Sequence, residues 1–336
     1  MRTLITGIPG WLGSRLIEVL VSKGELSQYD SVKSRQIRCV VLPDSDINEL
    51  RKFDVEVYKG NVRNRETLTQ AVKGVDTIIH CAGVIHPRKV RDFYEINTRG
   101  TKNLISAAVD AGVKKFVYIS SNSVGGINRD KNILMSEQDF PRPYKHYGLS
   151  KYKAEEIVRQ YGKEQKIATV ILRPCWFYGI RQPQRQTRFF RMIKKGNPII
   201  FSNGKNLRSL SYIDNVIQAI LLVENNDNAN GQTYWIADER PYKTIDIYRT
   251  IAELLGVELN LCSLPNFVSR ASSFMDSILQ GIGVYIPEFH VAGEMNKNIA
   301  CSIKKAKNEL GYRPHIDLRQ GMKRSIEWCR ENGISI

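Results

Sequence analysis

The 336-residue sequence is poor in cysteine and histidine, with six of the first and five of the second. The cysteines are scattered along the chain, at Cys39, Cys81, Cys175, Cys262, Cys301 and Cys329. No CxxC pair is present and no histidine lies at metal-ligand spacing from a cysteine, so we expect neither a metal site nor disulfides. Most of these cysteines stand in apolar stretches, where a free thiol behaves as a small hydrophobic group. This usage predicts a reducing compartment, the cytoplasm.

Long apolar runs are also lacking. The longest uncharged stretches, such as the one between Asp276 and Glu288, are far shorter than the roughly 20 residues that a membrane-spanning helix needs. A strand predicted at the very start of the chain, by residues 2–6, leaves no room for a signal peptide. We therefore expect no membrane partner.

Acidic residues are outnumbered, because 34 aspartates and glutamates face 50 lysines and arginines, for a formal net charge of +16. A positive charge suits nucleic acid, an anionic membrane surface or a small anionic substrate. The basic residues are spread over the whole length, often beside acids, and no basic tail is present. This distribution argues against a nucleic-acid partner. It leaves two interpretations, an ordinary solvated surface or a few arginines that bind the phosphates of a small-molecule substrate.

Hydrophobic residues make up 42% of the chain, which is enough for a packed core. In the first half, short apolar segments alternate with amphipathic ones. Strands are predicted at residues 3–6, 37–42, 55–59, 77–81, 115–120 and 168–172, and helices at residues 11–23, 65–72, 91–111 and 145–161. Strands that alternate with helices need crossover connections, so the pattern predicts an α/β protein with a doubly wound parallel sheet, a Rossmann fold.

A glycine-rich turn, TGIPGWLG, directly follows the first predicted strand. Gly7 permits a tight turn, Gly10 lets a pyrophosphate approach the backbone, and Gly13 allows close packing of helix on strand. Trp11 and Leu12 open the helix, whose N-terminal N–H groups and dipole favour an anion. With a strand before it and a helix after it, the turn is typical of dinucleotide binding.

The acidic residue that would bind the adenosine ribose is less clearly marked. Counting about twenty residues onward reaches Asp30, which lies in a polar segment, residues 25–36, that resembles an insertion. The second predicted strand ends at residue 42, so the candidate moves to Asp44, for which a turn-forming role is an equal alternative. No arginine directly follows that strand to hold a 2′-phosphate, which favours NAD but does not exclude NADP.

The chain changes character after Cys175. A loop rich in arginine and glutamine at residues 181–188 leads to a helix ending near residue 196, and residues 212–224 and 232–237 are predicted to return to the sheet. Helices are predicted at residues 245–255, 303–310 and 318–332. We divide the chain into a dinucleotide-binding domain, residues 1–175 with 211–239 returning to it, and a smaller, mostly helical substrate-binding cap, residues 176–336. The cap is expected over the carboxyl edge of the sheet, where such folds hold ligands.

A tyrosine and a lysine four residues apart, Tyr147 and Lys151, begin a predicted helix and share one of its faces. A phenol ordinarily titrates near ~10. A neighbouring ammonium, aided by an oxidised nicotinamide, favours the phenolate and brings it toward useful acid–base strength. One strand–loop unit earlier, Ser121 follows the strand predicted at residues 115–120. We expect its hydroxyl to hold the substrate oxygen while Tyr147 moves the proton.

Eight motifs occur in order along nearly the whole chain: TGIPGWLG, HCAG, NTRGT, YISSNSVGG, YGLSK, LRPCWFYG, RSLSYIDNV and ELGYRP. Together they resemble the extended short-chain dehydrogenases/reductases of the NAD-dependent epimerase/dehydratase group. The resemblance implies an enzyme with a Rossmann fold and NAD as its cofactor. It also implies a homodimer formed through the helices predicted at residues 91–111 and 145–161.

Catalytic roles carry over from the family to the matching positions. By resemblance, Ser121 binds the reacting oxygen, although Ser123 is close enough to be confused with it, and Asn122 contacts the substrate. Tyr147 is the acid/base and contacts the substrate, and Lys151 holds the nicotinamide ribose and lowers the pKa of the tyrosine.

The resemblance also marks cofactor contacts, namely Asn61, Val62, Cys81, Ala82 and Gly83 toward the adenosine, and Pro174 with Cys175 toward the nicotinamide. Asn61 replaces the aspartate usual in relatives, and its amide can still form hydrogen bonds. His80 and His86 are assigned no catalytic role.

In nucleotide-sugar members of the group, an arginine before the Tyr-Ile-Asp segment contacts the substrate pyrophosphate, and Arg208 occupies that position. A guanidinium suits this task because its planar fork pairs with two phosphate oxygens. Arg188, together with Arg181 and Arg185, either adds to an anion-binding mouth or lies on an ordinary exposed face. A second arginine, often seen before the C-terminal ELG segment, is missing, which weakens the nucleotide-sugar interpretation.

Ser121 is followed by Asn-Ser and not by the Asp-Glu pair typical of sugar 4,6-dehydratases, so a reaction by hydride transfer alone is expected. The favoured function is an NAD(P)-dependent 4-epimerase or 4-ketoreductase of a nucleotide sugar. The second is a reductase or dehydrogenase of a hydrophobic alcohol, as in hydroxysteroid and flavonol-reducing relatives. The apolar stretch at residues 274–286 would suit that ligand, although core packing explains it equally well. A cofactor-sensing protein without catalysis ranks last because the Tyr147–Lys151 pair is intact.

Overall fold

The computed structural model describes residues 1–22, 24–30, 32 and 34–336. The helix predicted at residues 11–23 is observed as Trp11–Ser22, and its expected last residue, Lys23, lies outside the described part of the chain. Within the polar segment at residues 25–36, Ser31 and Lys33 also lie outside it.

The strands are β1 (Arg2–Ile8), β2 (Gln36–Val41), β3 (Val55–Lys59), β4 (Thr77–His80), β5 (Lys115–Ile119), β6 (Ala168–Pro174), β7 (Trp176–Tyr178), β8 (Ile199–Phe201), β9 (Leu207–Arg208), β10 (Leu210–Tyr212), β11 (Thr233–Ile236), β12 (Tyr242–Lys243) and β13 (Cys262–Leu264). Seven of them form one parallel sheet in the order β3-β2-β1-β4-β5-β6-β11. The strand order reverses between β1 and β4, and in doubly wound sheets ligands bind at that point, beyond the carboxyl ends of the strands. The predicted fold class is confirmed.

The helices are α1 (Trp11–Ser22), α2 (Glu66–Thr69), α3 (Val90–Asp92), α4 (Gly100–Asp110), α5 (Lys145–Lys163), α6 (Gln184–Lys194), α7 (Ile213–Glu224), α8 (Thr244–Leu255), α9 (Asn266–Gly281), α10 (Pro287–Glu294), α11 (Lys304–Leu310) and α12 (Leu318–Glu331). The helix predicted at residues 91–111 is not continuous, because a π-helix, Phe93–Arg99, lies between α3 and α4. The loop predicted at residues 181–188 is also wrong in part. Helix α6 begins at Gln184 and therefore carries Arg185 and Arg188.

Alternating side chains of the central strands fill two cores, one on each face of the sheet. Ile5 and Ile79 belong to the core that also holds residues of α1 and α7. Their neighbours Leu4 and Ile78 belong to the core that holds residues of α4 and α5. Successive strand residues point to opposite faces, so a sheet covered on both sides needs apolar residues at nearly every position.

Two helices that the sequence did not predict, α9 and α10, pack on each other as a hairpin over the carboxyl edge of the sheet. The backbone N–H of Val90 donates to the Gly283 carbonyl at 3.0 Å, which joins the hairpin to the start of α3. The backbone N–H of His146 donates to Gln280 Oε1 at 3.3 Å, which joins it to the start of α5. The hairpin therefore lies beside Tyr147. Among the described residues, no helix has the length and apolarity to cross a membrane.

Candidate active site

The turn between β1 and α1 is too tight for any side chain. Gly7 has a φ of +86°, and a Cβ there would lie 2.6 Å from the carbonyl carbon of Cys81. A Cβ on Gly10 would lie 2.5 Å, and one on Gly13 2.8 Å, from the carbonyl oxygen of Gly7. Glycine thus brings the end of β1 against the end of β4 and leaves the first turn of α1, with its free N–H groups, at the carboxyl edge.

The side chains of Trp11 and Leu12, at the start of α1, pack within the protein. The indole Nε1 of Trp11 donates to the Ile180 carbonyl at 2.7 Å, and Leu12 is buried in the core. Only the backbone N–H groups of these two predicted cofactor contacts are therefore suited to bind phosphate.

Asp30 lies at the opposite edge of the sheet from the glycine turn. Its carboxylate is paired with Arg35 at 2.6 Å, and Arg35 also donates to Thr3 Oγ1 at 2.7 Å, at the start of β1. Asp30 is thereby ruled out as the ribose ligand. Asp44 is exposed and follows β2 at the carboxyl edge, in a turn closed by the Ser45 N–H donating to the Leu42 carbonyl at 3.0 Å.

The two predicted adenosine contacts after β3 are placed differently. Asn61 is half-buried, and its Oδ1 accepts from the Arg63 backbone N–H at 3.0 Å, which leaves the amide nitrogen for a ligand. Val62 is buried, and a Cβ built on Gly100 would lie 2.7 Å from its Cγ2, so Val62 packs against the start of α4.

A buried hydrogen-bond chain supports the end of β4. Thr6 Oγ1 accepts from the Ala82 backbone N–H at 3.2 Å and bonds His80 Nδ1 at 2.7 Å, while His80 Nε2 bonds Thr101 Oγ1 at 3.0 Å. Burial lowers the pKa of His80 to about 3, so its imidazole stays neutral. The chain of contacts holds Cys81 and Ala82 beside the glycine turn.

Asn97 begins the motif NTRGT, and the sequence alone indicates no role for it in the site. It lies on the π-helix and is buried, and its Oδ1 accepts from the Val84 N–H at 2.8 Å while its Nδ2 donates to Ser150 Oγ at 3.0 Å. A Cβ on Gly83 would lie 3.1 Å from Asn97 Oδ1 and 3.8 Å from Lys151 Nζ. Asn97 therefore holds the backbone of the predicted cofactor segment close to the lysine. Single π-turns within helices are frequent at functional sites.

The structure brings Ser121 and Tyr147 together. Ser121 follows β5 and is buried, and its Oγ accepts from the Ser123 N–H at 3.2 Å and donates to Asn122 Oδ1 at 3.3 Å. Tyr147 lies in the first turn of α5. Burial raises the pKa of Tyr147, and a hydrogen bond with Ser121 and the charge of Arg185 oppose that rise only in part.

Lys151 lies one turn further along α5 and is buried. Its Nζ donates to the Ile119 carbonyl at 2.7 Å and lies 4.4 Å from the centre of the Tyr118 ring. Burial lowers the pKa of Lys151 to about 7, against the opposing charge of Glu155. The role of Lys151 in lowering the pKa of Tyr147 stays a prediction. The charge of Arg185 lowers the pKa of Tyr147, while the Lys151 ammonium donates to the Ile119 carbonyl.

A buried ion cluster anchors the middle of α5. Glu155 accepts from Arg173 at 2.7 and 2.9 Å, from Arg159 at 2.5 Å and from Ser120 Oγ at 2.5 Å. Burial alone would raise the pKa of Glu155, but these donors hold it below its ordinary value. The cluster ties α5 to β5 and β6 and so fixes the height of Tyr147 and Lys151 above the sheet.

Pro174 ends β6 and is buried at the carboxyl edge. The next residue, Cys175, points into the core, where its Sγ lies 3.4 Å from Cys301 Sγ. Its backbone N–H donates to Ser211 Oγ at 2.9 Å. Both cysteines are free thiols, as all six cysteines are.

The four predicted anion-binding arginines are in different states. Arg181 is paired with Glu18 at 2.9 Å and with Glu49 at 2.8 Å, so it is not available for an anion. Arg188 is exposed on α6. Arg185, one turn earlier, is also exposed, but it lies near enough to Tyr147 and Tyr285 for their charges to interact, and partial desolvation lowers its pKa.

Arg208 enters the cleft from β9. Burial lowers its pKa, and its nearest charged and phenolic neighbours are Glu294, Tyr248 and Tyr144. Its Nη2 donates to the backbone carbonyl of Glu294. Among the ion pairs of the described residues, none includes Arg208.

Aromatic rings line the cleft between α5 and the hairpin. The Phe93 ring lies 5.8 Å from Tyr147 and 5.1 Å from Tyr285, and the Tyr285 hydroxyl bonds His86 Nδ1 at 3.1 Å. Burial lowers the pKa of His86 to about 4, so it is neutral near pH 7. The cleft thus combines an apolar wall with two arginines and the carboxylate of Glu294.

A glycine turn shaped for phosphate next to a buried acid–base cluster, at the switch point of a doubly wound sheet, is the layout of short-chain dehydrogenases/reductases. The chain is an oxidoreductase of this class. It belongs to the 3-beta hydroxysteroid dehydrogenase/isomerase family, whose model matches residues 4–266.

Relatives match over nearly the whole chain. The protein y4nL of Sinorhizobium fredii, which is uncharacterized, is 40% identical over 99% of this chain and 96% of its own length. A UDP-glucose 4-epimerase of Vibrio cholerae is 25% identical, covering 96% and 94%. A ketoreductase of Stigmatella aurantiaca that acts on a farnesylated dihydroquinoline oxide is 24% identical, covering 96% and 95%.

The fold has a close counterpart among solved structures. A dTDP-glucose 4,6-dehydratase from Streptomyces venezuelae, solved with NAD bound, superimposes with a TM-score of 0.80 at 22% identity, covering 99% of this chain and 98% of its own. At this identity the likeness describes the fold.

Proposed function

We propose that this enzyme uses NAD to transfer hydride at a carbon of a nucleotide sugar, as a 4-epimerase or a 4-ketoreductase. The observation that carries the substrate class is Arg208, a half-buried guanidinium near Tyr144 and Glu294 that donates to the Glu294 backbone carbonyl and forms no ion pair among the described residues. A diphosphate group is the ligand chemistry that such a cation fits.

The residues of the glycine turn fit a nicotinamide dinucleotide. A Cβ at Gly7 would meet the backbone of Cys81 and Ala82, and one at Gly10 or Gly13 would meet the Gly7 carbonyl oxygen. Glycine therefore keeps the turn tight beside the first turn of α1, where N–H groups remain for a pyrophosphate. The residues directly after β2 include Asp44 and no cation for a 2′-phosphate, which favours NAD over NADP. The dehydratase from Streptomyces venezuelae, which shares the fold, binds NAD.

The chemistry divides between the cofactor and three side chains. The nicotinamide, when bound, supplies or accepts the hydride. Ser121 donates a hydrogen bond to the substrate oxygen, and Tyr147 gives its proton to that oxygen in reduction and takes it back in oxidation. Burial keeps Tyr147 protonated at rest, and the positive charge of Arg185 favours the phenolate during oxidation.

Arg208 stands apart from the other inward-facing arginines. Arg35 pairs with Glu224 at 2.6 Å and Arg173 pairs with Glu155 at 2.7 Å, so their charges are neutralised within the fold. Arg208 instead donates to a backbone carbonyl, and burial lowers its pKa. The Glu294 carboxylate lies near enough to act on the pKa of Arg208 without forming an ion pair with it, and a substrate diphosphate would supply a directly paired counter-charge.

Replacing Tyr147 by Phe tests the catalytic assignment. Because the variant removes one hydroxyl and keeps the ring, kcat should fall by roughly 10²–10⁴-fold, the usual worth of general acid–base catalysis. NAD affinity, measured by calorimetry, should be nearly unchanged. The Tyr161→Phe variant, at the far end of the same helix, serves as the control, and turnover retained by Tyr147→Phe would refute the assignment.

Replacing Arg208 by Gln tests the substrate class. Loss of charge-assisted hydrogen bonds should raise the KM for UDP- or GDP-sugars by about tenfold or more, and weaken inhibition by the free nucleoside diphosphate to the same degree. The Arg249→Gln variant, on the exposed face of α8, should behave as wild type. An unchanged KM in Arg208→Gln would remove the pyrophosphate role.

A second function, reduction of an apolar ketone, is favoured by the aromatic contacts of Tyr147 with Phe93 and of Phe93 with Tyr285. The ketoreductase of Stigmatella aurantiaca, which acts on a farnesylated substrate, is consistent with it. Thermal-shift titration with NAD, NADP and nucleotide sugars distinguishes the two. Stabilisation by a nucleotide sugar supports the first function, and stabilisation by cofactor with no response to any nucleotide supports the second.

A further inference from the structure

Helix α9 is amphipathic, but its polar face is buried and its apolar face is exposed to solvent. Its buried side chains are polar, namely Ser269, Asp276 and Gln280. They form hydrogen bonds inside the hairpin, where Gln280 Nε2 donates to Asp276 Oδ1 at 2.7 Å and Asp276 Oδ2 bonds His290 at 3.0 Å. On the outer side, Phe267 is 69% exposed and Phe274 is 68% exposed. A surface helix of a globular protein ordinarily turns its apolar face inward, so this outer face points to an apolar partner.

The outer face is continuous with the rest of the hairpin. Sixteen large hydrophobic side chains are exposed among the described residues, and eight of these lie between residues 267 and 291. These eight, here called the apolar surface, are Phe267, Phe274, Met275, Ile278, Ile282, Val284, Phe289 and Val291. Ile282, at the tip, is 72% exposed. A concentration of this kind marks an interaction site, whereas scattered exposed hydrophobic residues do not.

Basic side chains border the apolar surface. Arg88, Lys89, Arg91 and Arg270 are all exposed, and the ion pairs of the described residues include none of them. Lys89 is bridged to Val284, and the Tyr285 N–H donates to the Arg88 carbonyl, which places this basic rim at the tip of the hairpin. Arg270 lies between Phe267 and Phe274 on α9. The exposed acid in the hairpin is Glu288, so the border is positive overall.

We propose that the apolar surface and its basic rim dock on an anionic lipid bilayer, with α9 lying in the plane of the headgroups. An exposed apolar helix face flanked by arginine and lysine is the composition of interfacial helices, which bind by apolar burial and by attraction to anionic lipids. A second copy of this chain fits less well, since a two-fold interface through this surface would bring the two basic rims together. The sequence-based expectation of no membrane partner rests on the lack of a membrane-spanning segment. Docking on the bilayer surface does not require such a segment.

The docking places the cleft next to the bilayer. Tyr285 belongs to the same turn as Ile282 and Val284, and its ring contacts Phe93 beside Tyr147. The rings of Tyr285 and Phe93 therefore connect the apolar surface to the acid/base Tyr147. The proposal does not depend on which substrate the enzyme uses.

Flotation of the full-length protein with vesicles tests the docking. The wild type is expected to float with phosphatidylglycerol-rich vesicles, to release in high salt, and to bind phosphatidylcholine vesicles much less. The variant Phe274→Ser/Ile278→Ser/Ile282→Ser and the variant Arg88→Gln/Lys89→Gln/Arg270→Gln should each bind at least about tenfold more weakly. The matched controls are Ile133→Ser/Phe140→Ser and Arg51→Gln/Lys52→Gln/Lys304→Gln, which alter exposed residues elsewhere and should float as wild type does.

Each variant is checked by its thermal midpoint and by its stabilisation with NAD, so that loss of binding is not confused with loss of folding. Failure of the wild type to bind anionic vesicles would overturn the proposal. So would equal binding to both lipid compositions, or equal weakening in the controls. Light scattering that shows an oligomer, dissolved by the Phe274/Ile278/Ile282 variant alone, would assign the surface to a second copy and overturn it as well.

Discussion

Lys151 is expected to make the stability of this protein depend on pH in the alkaline range. Burial lowers its pKa to about 7 from the ordinary 10.5. Between these two values the folded protein binds fewer protons at this site than the unfolded chain does, so the free energy of unfolding rises with pH. From pH 7 to pH 9 the two pKa values correspond to a gain of roughly 2 kcal/mol, and the gain ends as pH reaches the unfolded value.

The Lys151→Met variant carries no titrating group at this position and should lack the gain. Urea unfolding at pH 7, 8 and 9, followed by tryptophan fluorescence, measures the free energy of unfolding of both proteins. Their difference isolates Lys151, because all other titrating groups are shared. The Lys153→Met variant, at an exposed position of the same helix, should run parallel to wild type. A constant difference between Lys151→Met and wild type from pH 7 to 9 would refute the lowered pKa.

Two further predictions concern the supports of the site. Glu155→Ala leaves the buried Arg173 unpaired and should lower the free energy of unfolding by roughly 3–5 kcal/mol. Glu156→Ala, at the exposed neighbouring position, should change the free energy of unfolding little. Similar urea midpoints for the two variants would contradict the stabilising role of the ion cluster. Gly13→Ala places a Cβ 2.8 Å from the Gly7 carbonyl oxygen and should abolish thermal stabilisation by NAD. Gly281→Ala meets nothing within 4 Å and should respond to NAD as wild type does.

Local pattern was sufficient for the elements of the sheet. The six strands predicted in the first half all lie in the parallel sheet, and β11 joins it beside β6. Buried parallel strands need apolar residues on both faces, and the glycine turn needs residues without a side chain, so both leave a mark in the sequence.

The local sequence pattern gave wrong predictions where a helix is interrupted without a change in the polarity of its residues. The helix predicted at residues 91–111 is interrupted by the π-helix Phe93–Arg99, within which Asn97 is buried. The extra residue of a π-turn changes which side chains face inward without changing helical composition. The sequence analysis predicted no helix at α9 or α10, although α9 is amphipathic, and only the structure decides that the apolar face of α9 is exposed.

Counting along the chain also failed at Asp30. The spacing from the glycine turn suits a ribose ligand, but Arg35 holds Asp30 at the amino edge of the sheet, beside Thr3 and Glu224. The polar composition of residues 25–36 is typical of an insertion and moves the candidate to Asp44, which lies at the carboxyl edge and stays a prediction.

The sequence by itself determined the fold class, the glycine turn and the spacing of Tyr147 and Lys151 on one helix, because each depends on neighbouring residues. Only the tertiary structure decided the charges around the tyrosine. It directs the Lys151 ammonium at the Ile119 carbonyl and brings Arg185 near the phenol. It pairs Arg181 with two carboxylates and leaves Arg208 without an ion pair among the described residues. Ionisation follows burial and distance between side chains on different elements, and neither is encoded in the order of residues along one element.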